Sequence, residues 1–133
     1  MTGDDWRGAC PFHGACIEGL ASGPAIAART GIAGQAVPHD HPEWRSVAHT
    51  LAQLLHVLVM TGVPRRIVMG GGVITGNPFL FPLIRAELYR SLNGYIALPE
   101  IAEVDTFVVP AALGDDAGPL GAILLGEQAL GRG

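Results

Sequence analysis

The chain has 133 residues and a formal net charge of −4, a length that suits one domain and is short for an enzyme binding two substrates. The mildly acidic balance offers no case for nucleic acid or an anionic membrane surface as partner. With 49% hydrophobic residues, 15% charged residues and a mean hydropathy of +0.36, the folded domain is expected to present apolar surface that something must cover.

The N-terminus, Met1-Thr2-Gly3-Asp4-Asp5-Trp6, lacks the basic-then-apolar pattern of a signal peptide. A reducing, cytoplasmic compartment is therefore expected, where paired cysteines are more readily ligands than a disulfide. Both cysteines of the chain fall in Cys10-Pro11-Phe12-His13-Gly14-Ala15-Cys16. Thiolate and imidazole suit zinc, at about 2.3 Å from sulfur and about 2.0 Å from nitrogen, and this spacing brings three donors within one loop's reach. A fourth ligand has to come from elsewhere. The alternative is a pair of unliganded thiols or a small oxidised loop.

Glu18 to Thr30 reads as helix interrupted at Gly23-Pro24, and 31–41 as loop. From Pro42, the positions Trp44, Val47, Ala48, Leu51, Leu54, Leu55 and Leu58 follow helical spacing until Thr61-Gly62-Val63-Pro64 ends the run. This apolar stretch, Leu51 to Val63, includes Gln53 and His56 and is too short to span the roughly 30 Å hydrocarbon core of a bilayer. Arg66 to Met69 reads as a short buried strand running into Gly70-Gly71-Gly72-Val73. Asn77-Pro78 then supplies a cap and first-turn proline for a helix to about Asn93. Thr106 to Val109 reads as a second strand, and Asp115-Asp116 begin a small-residue helix to about Leu130, with Gly118, Gly121 and Ala122 suited to close approach by a neighbour. The sum is an α/β pattern with a parallel strand pair. Two parallel strands do not make a self-sufficient sheet, so strands are expected to be missing.

Several residues admit a chemical and a plain reading. The glycine run lacks the lysine and Ser/Thr of a P-loop and does not match G-x-G-x-x-G, so it is either a ligand cradle or a tight strand-to-helix turn. His39, Asp40 and His41 read as a helix start in preference to a metal site, and His49 and His56 as part of a solvated helix face. Asp115 and Asp116 could serve magnesium or phosphate chemistry but also satisfy the helix dipole. No catalytic triad or carboxylate pair is visible.

Asp4-Asp5-Trp6, Gly8 and the run Cys10-Pro-Phe-His13-Gly14, Cys16-Ile-Glu-Gly-Leu-Ala-Ser-Gly-Pro24-Ala resemble the zinc segment of ROK-family sugar kinases, in the fructokinase branch. Glu43-Trp44, Leu51-Ala-Gln53, Pro64-Arg-Arg-Ile-Val-Met-Gly-Gly-Gly-Val73, Leu92-Asn-Gly-Tyr95 and Pro110-Ala-Ala-Leu-Gly-Asp-Asp-Ala-Gly118 are similar to later landmarks of that family. The resemblance implies an actin-like, ribonuclease-H-like kinase fold, of which residues 1–133 would be the C-terminal portion, with a zinc segment over 1–22 and a nucleotide-side unit over 64–133. It implies zinc on Cys10, His13 and Cys16, and ATP near Gly70, Gly71, Gly72, Val73 and Pro24. The implied reaction is magnesium- and ATP-dependent phosphorylation of fructose. The family's catalytic aspartate, phosphate turns and remaining zinc histidine have no counterpart here, so no catalytic residue is assigned and the chain alone is expected to be inactive. A missing N-terminal half or a homodimer partner is the expected companion; the alternative is a non-catalytic zinc and nucleotide module docking on a partner. The family's DNA-binding repressors are a poor match, since no basic or helix-turn-helix segment precedes the kinase-like part.

Overall fold

The computed structural model of the chain describes residues 5–96 and 103–131. Asp4 of the motif above lies outside them. Helices α1 (Ile17–Ala21) and α2 (Gly23–Thr30) part at Ser22, whose Oγ accepts the Ala25 N–H at 3.3 Å, while Pro24 occupies the first turn of α2, where no N–H donor is needed. A 3-10 turn, Gly34–Ala36, breaks the loop that follows.

Helix α3 (Glu43–Gly62) obeys its sequence periodicity: Trp44, Val47, Ala48, Ala52, Leu55 and Val59 form one buried stripe. Its start is built by His41, whose Nδ1 accepts the Glu43 N–H at 3.1 Å, as the capping reading of that loop expects. It ends on Val63 in the left-handed region at φ 42, whose N–H donates to the Val59 carbonyl at 3.0 Å. A β-branched residue there is strained by roughly 1–2 kcal/mol.

Strand β1 (Ile67–Met69) leads into the one-turn helix α4 (Gly72–Gly76), then α5 (Leu80–Leu92), the helical turn α6 (Val104–Phe107) and strand β2 (Val108–Pro110). A 3-10 turn, Gly114–Asp116, precedes the last helix, α7 (Ala117–Ala129). The two strands are parallel, with Ile67 opposite Val108, Val68 opposite Val109 and Met69 opposite Pro110. The core sits between α3 and α5, where Leu80, Phe81, Ile84, Leu88 and Leu92 meet the α3 stripe, closed at the sheet side by Ile67, Phe107 and Val108. Arg85 ties α5 to the second strand: its guanidinium donates to the Val108 and Asp105 carbonyls and pairs with the Asp105 carboxylate at 3.2 Å.

Several expectations change. Asn77 does not cap α5; its Nδ2 donates back to the Val73 carbonyl at 2.9 Å and closes α4. The second strand begins two residues later than expected, because Thr106 and Phe107 belong to a helical turn. His49 and His56 do not face solvent alone: Nδ1 of His49 donates to Oε2 of Glu87 at 3.0 Å, and Nδ1 of His56 shares a hydrogen bond with Ser91 Oγ at 2.8 Å, both across to α5. The first strand is only half covered, since Ile67 is buried but Val68 is 61% exposed. Helix α7 buries no residue, and a Cβ added at Gly118 or Gly121 would meet nothing within 4 Å, so the expected close neighbour is absent among the described residues. A helix apolar all round is ordinarily interior, and this one, with a two-strand sheet, fits the incomplete α/β fold. No helix is long and apolar enough to cross a membrane among the described residues.

Candidate metal centre and a neighbouring cleft

Residues 10–16 fold back on themselves. The Gly14 N–H donates to the Cys10 carbonyl at 3.0 Å and the Cys10 N–H to the Gly14 carbonyl at 3.3 Å. One ligand atom each from Cys10, His13 and Cys16 consequently lie within 4.8 Å of one another. A tetrahedral zinc asks for donors about 3.3–3.8 Å apart, which small rotamer changes supply. The sulfurs are already oriented, since the His13 N–H points to Cys10 Sγ at 3.5 Å and the Gly19 N–H to Cys16 Sγ at 3.4 Å. The N–H groups of His13 and then Phe12 favour the thiolate and lower the Cys10 thiol from its ordinary 9.0 to about 7. Both cysteines are free thiols. Soft donors, half-buried sulfurs and N–H···S support fit a zinc ion.

Gly19 lets α1 close on this turn: a Cβ there would stand 1.9 Å from the Gly14 carbonyl oxygen and 2.9 Å from the Cys10 nitrogen. No fourth His, Cys, Asp or Glu joins the group among the described residues. His41 is occupied at the start of α3, and His39 stacks on Phe79 with ring centroids 4.4 Å apart.

Beyond α1 a cleft of about 880 Å³ opens at the carboxyl ends of the two parallel strands, the position where open α/β sheets place their ligands. Pro24, Ile26 and Ala27 from α2, Trp44 from α3 and Val73 from α4 give it apolar walls. Gln35, Thr75, Asn77 and Asp115 are its polar side chains. Of the residues expected near a nucleotide, Pro24, Gly72 and Val73 line the cleft together, whereas Gly70 and Gly71 stand at the strand end outside its lining. Gly71 has a backbone reason of its own, since it starts α4 at φ 95, a conformation that needs no side chain. Trp44 is fixed in the wall by its Nε1, which donates to the Pro38 carbonyl at 2.8 Å, and by Phe79 edge-on at 5.3 Å. The sequence left Gln35 and Thr75 unremarked. The signal that could have found Asp115 is its place after the second strand, matching that of Gly72 after the first.

Residues 1–129 match the ROK family. A fructokinase of Pediococcus pentosaceus is 41% identical over 130 residues, which cover 98% of this chain and 44% of the relative. A fructokinase of Lactococcus lactis subsp. cremoris is 42% identical over 94 residues, covering 71% and 32%. One from Streptococcus mutans serotype c is 34% identical over 125 residues, covering 94% and 42%. The chain thus spans less than half the length of these relatives. The family match runs through the Cys-His-Cys turn, both strands and the whole of the final helix, and on that ground the chain belongs to the ROK family.

Proposed function

We propose that these residues form the nucleotide-side, C-terminal portion of a fructokinase, a kinase that transfers the γ-phosphoryl group of ATP to the 6-hydroxyl of fructose. The cleft carries this reading: Pro24 and the adjacent pair Gly72-Val73, distant from each other in the chain, line one opening at the strand ends. The base of the nucleotide would lie against the apolar α2 and α4 walls, held by Pro24, Ala27 and Val73, with Trp44 and Phe79 stiffening the floor. Cys10, His13 and Cys16 would hold zinc, which when bound cross-links the turn and steadies the α1–α2 segment that ends in that wall. The relatives are fructokinases by name, which supports the sugar.

Phosphoryl transfer rests on positioning and charge stabilisation, and no residue of this chain matches the family's general-base aspartate or phosphate turns. The 133-residue chain is therefore proposed to bind ATP without forming fructose 6-phosphate. Incubation of the purified chain with ATP, magnesium and fructose tests this. ATP binding without product is expected, and product made by a contaminant-free preparation would overturn the assignment of these residues to the nucleotide side only. Co-expression with the remaining part of the Pediococcus relative should restore turnover. The proposed setting is cytoplasmic.

A second reading draws on α7 and Val68, whose exposed apolar side chains suit a non-catalytic zinc and nucleotide module docked on a partner. Stable co-purification with the complementary kinase part without any turnover would favour it over the first.

A further inference from the structure

Five of the residues lining the cleft carry side-chain hydrogen-bonding groups, and two of those groups are engaged: Trp44 Nε1 donates to Pro38 and Asn77 Nδ2 to Val73. The side chains of Gln35, Thr75 and Asp115 have no hydrogen-bond or ion-pair partner among the described residues, and Asp115 is the charged member of that trio. Its place in the 3-10 turn Gly114–Asp116 suits the dipole of the helix that follows, and it also leaves Asp115 exposed on the cleft. Helix α7 begins at Ala117, Asp116 occupies the cap position without a side-chain cap bond, and Asp115 lies in the turn before it, on the cleft wall.

A carboxylate at this place constrains what it can face in a bound nucleotide. The phosphates repel it, and the purine ring nitrogens N1, N3 and N7 are acceptors as the carboxylate is. The 2′- and 3′-hydroxyls of ribose are two adjacent donors, which match the two oxygens of one carboxylate and give charge-assisted hydrogen bonds. The apolar walls from α2 and α4 offer the base a place, leaving the acidic side of the cleft for the sugar. We propose that Asp115 accepts the ribose diol, so that it selects ribonucleotides and turns the phosphate chain away from the α7 side. This deepens the nucleotide reading of the cleft and rests on it.

Calorimetric titration of the 133-residue chain with three phosphate-free ligands, in the presence of EDTA, tests the inference and removes magnesium as a confounder. Adenosine and purine riboside, which lacks the exocyclic amine, should both bind about tenfold or more tightly than 2′,3′-dideoxyadenosine. In Asp115→Ala the adenosine affinity should fall to that of the dideoxy compound, whose own affinity should not change. Asp115→Asn, which keeps the shape and one acceptor, should fall between. Discrimination that survives in Asp115→Ala overturns the role of Asp115 while leaving the cleft reading intact. Loss of binding by purine riboside instead assigns the carboxylate to the base amine and likewise overturns it. Failure of adenosine to bind the unsubstituted chain overturns the nucleotide reading itself, and this inference with it.

Discussion

Helices α3 and α7 are both rich in apolar residues, yet α3 buries Trp44, Val47, Ala52, Leu55 and Val59 while α7 leaves Ile123, Leu124 and Leu125 more than half exposed. The apolar residues of α3 form a stripe, which one partner, α5, can cover. Those of α7 surround the helix, and no single neighbour can cover all sides of a cylinder. Patterning therefore reports how many partners an element needs, and α7 needs more than these residues supply. That agrees with a chain spanning less than half of its relatives.

The contrast is sharpest in truncation. Leu88→Ala, at a fully buried position of α5, should cost about 2–5 kcal/mol in urea unfolding, while Leu124→Ala on α7 should stay within about 0.5 kcal/mol. Comparable losses at both sites would mean that α7 is covered in solution, and the comparison would fail. Next in size is Gly19→Ala. Its methyl group collides with the Gly14 carbonyl, so the Cys10-His13-Cys16 turn must open, and zinc taken up by the purified chain should fall well below that of the unsubstituted chain in metal analysis. Retention of full zinc would show that the turn does not depend on α1.

Acid should weaken the packed side first. Hydrogen bonding from His49, then from Arg90, lowers the Glu87 carboxyl below its ordinary 4.5. A lowered folded value means that Glu87 contributes stability above the ordinary value and loses it as pH falls from there through the folded one. Thermal melts between pH 6 and 3 should show a decline below about pH 4.5 that is shallower in Glu87→Gln. Identical slopes would remove Glu87 from the account. The smallest expected effect is at the end of α3, where Val63→Gly relieves the left-handed strain and should stabilise by about 0.5–1 kcal/mol, net of the entropy glycine adds to the unfolded chain. A loss of stability there would mean that the Val63 side chain contributes packing at its half-exposed position.

Much of the fold was legible locally. The α3 stripe, the break near Pro24, the parallel strands and the Cys10-His13-Cys16 turn all follow from spacing over a few residues, because backbone periodicity and loop reach act at that range. The cleft was partly legible: the family resemblance marked Gly72, Val73 and Pro24, while Asp115 looked like an ordinary helix-start acid. His49 and His56 were misread for a related reason, as a helical wheel shows which face a residue is on but not that Glu87 and Ser91 wait across it.

By itself, then, the sequence determined the long helices, the strand pair, the close spacing of Cys10, His13 and Cys16 and the excess of apolar surface, since each depends on residues close in the chain. Only the tertiary structure decided which faces are covered, that Asn77 closes α4 instead of opening α5, and that Asp115 shares a cleft with Pro24. Those outcomes depend on contacts between segments far apart in the chain, which packing selects and local propensity does not encode.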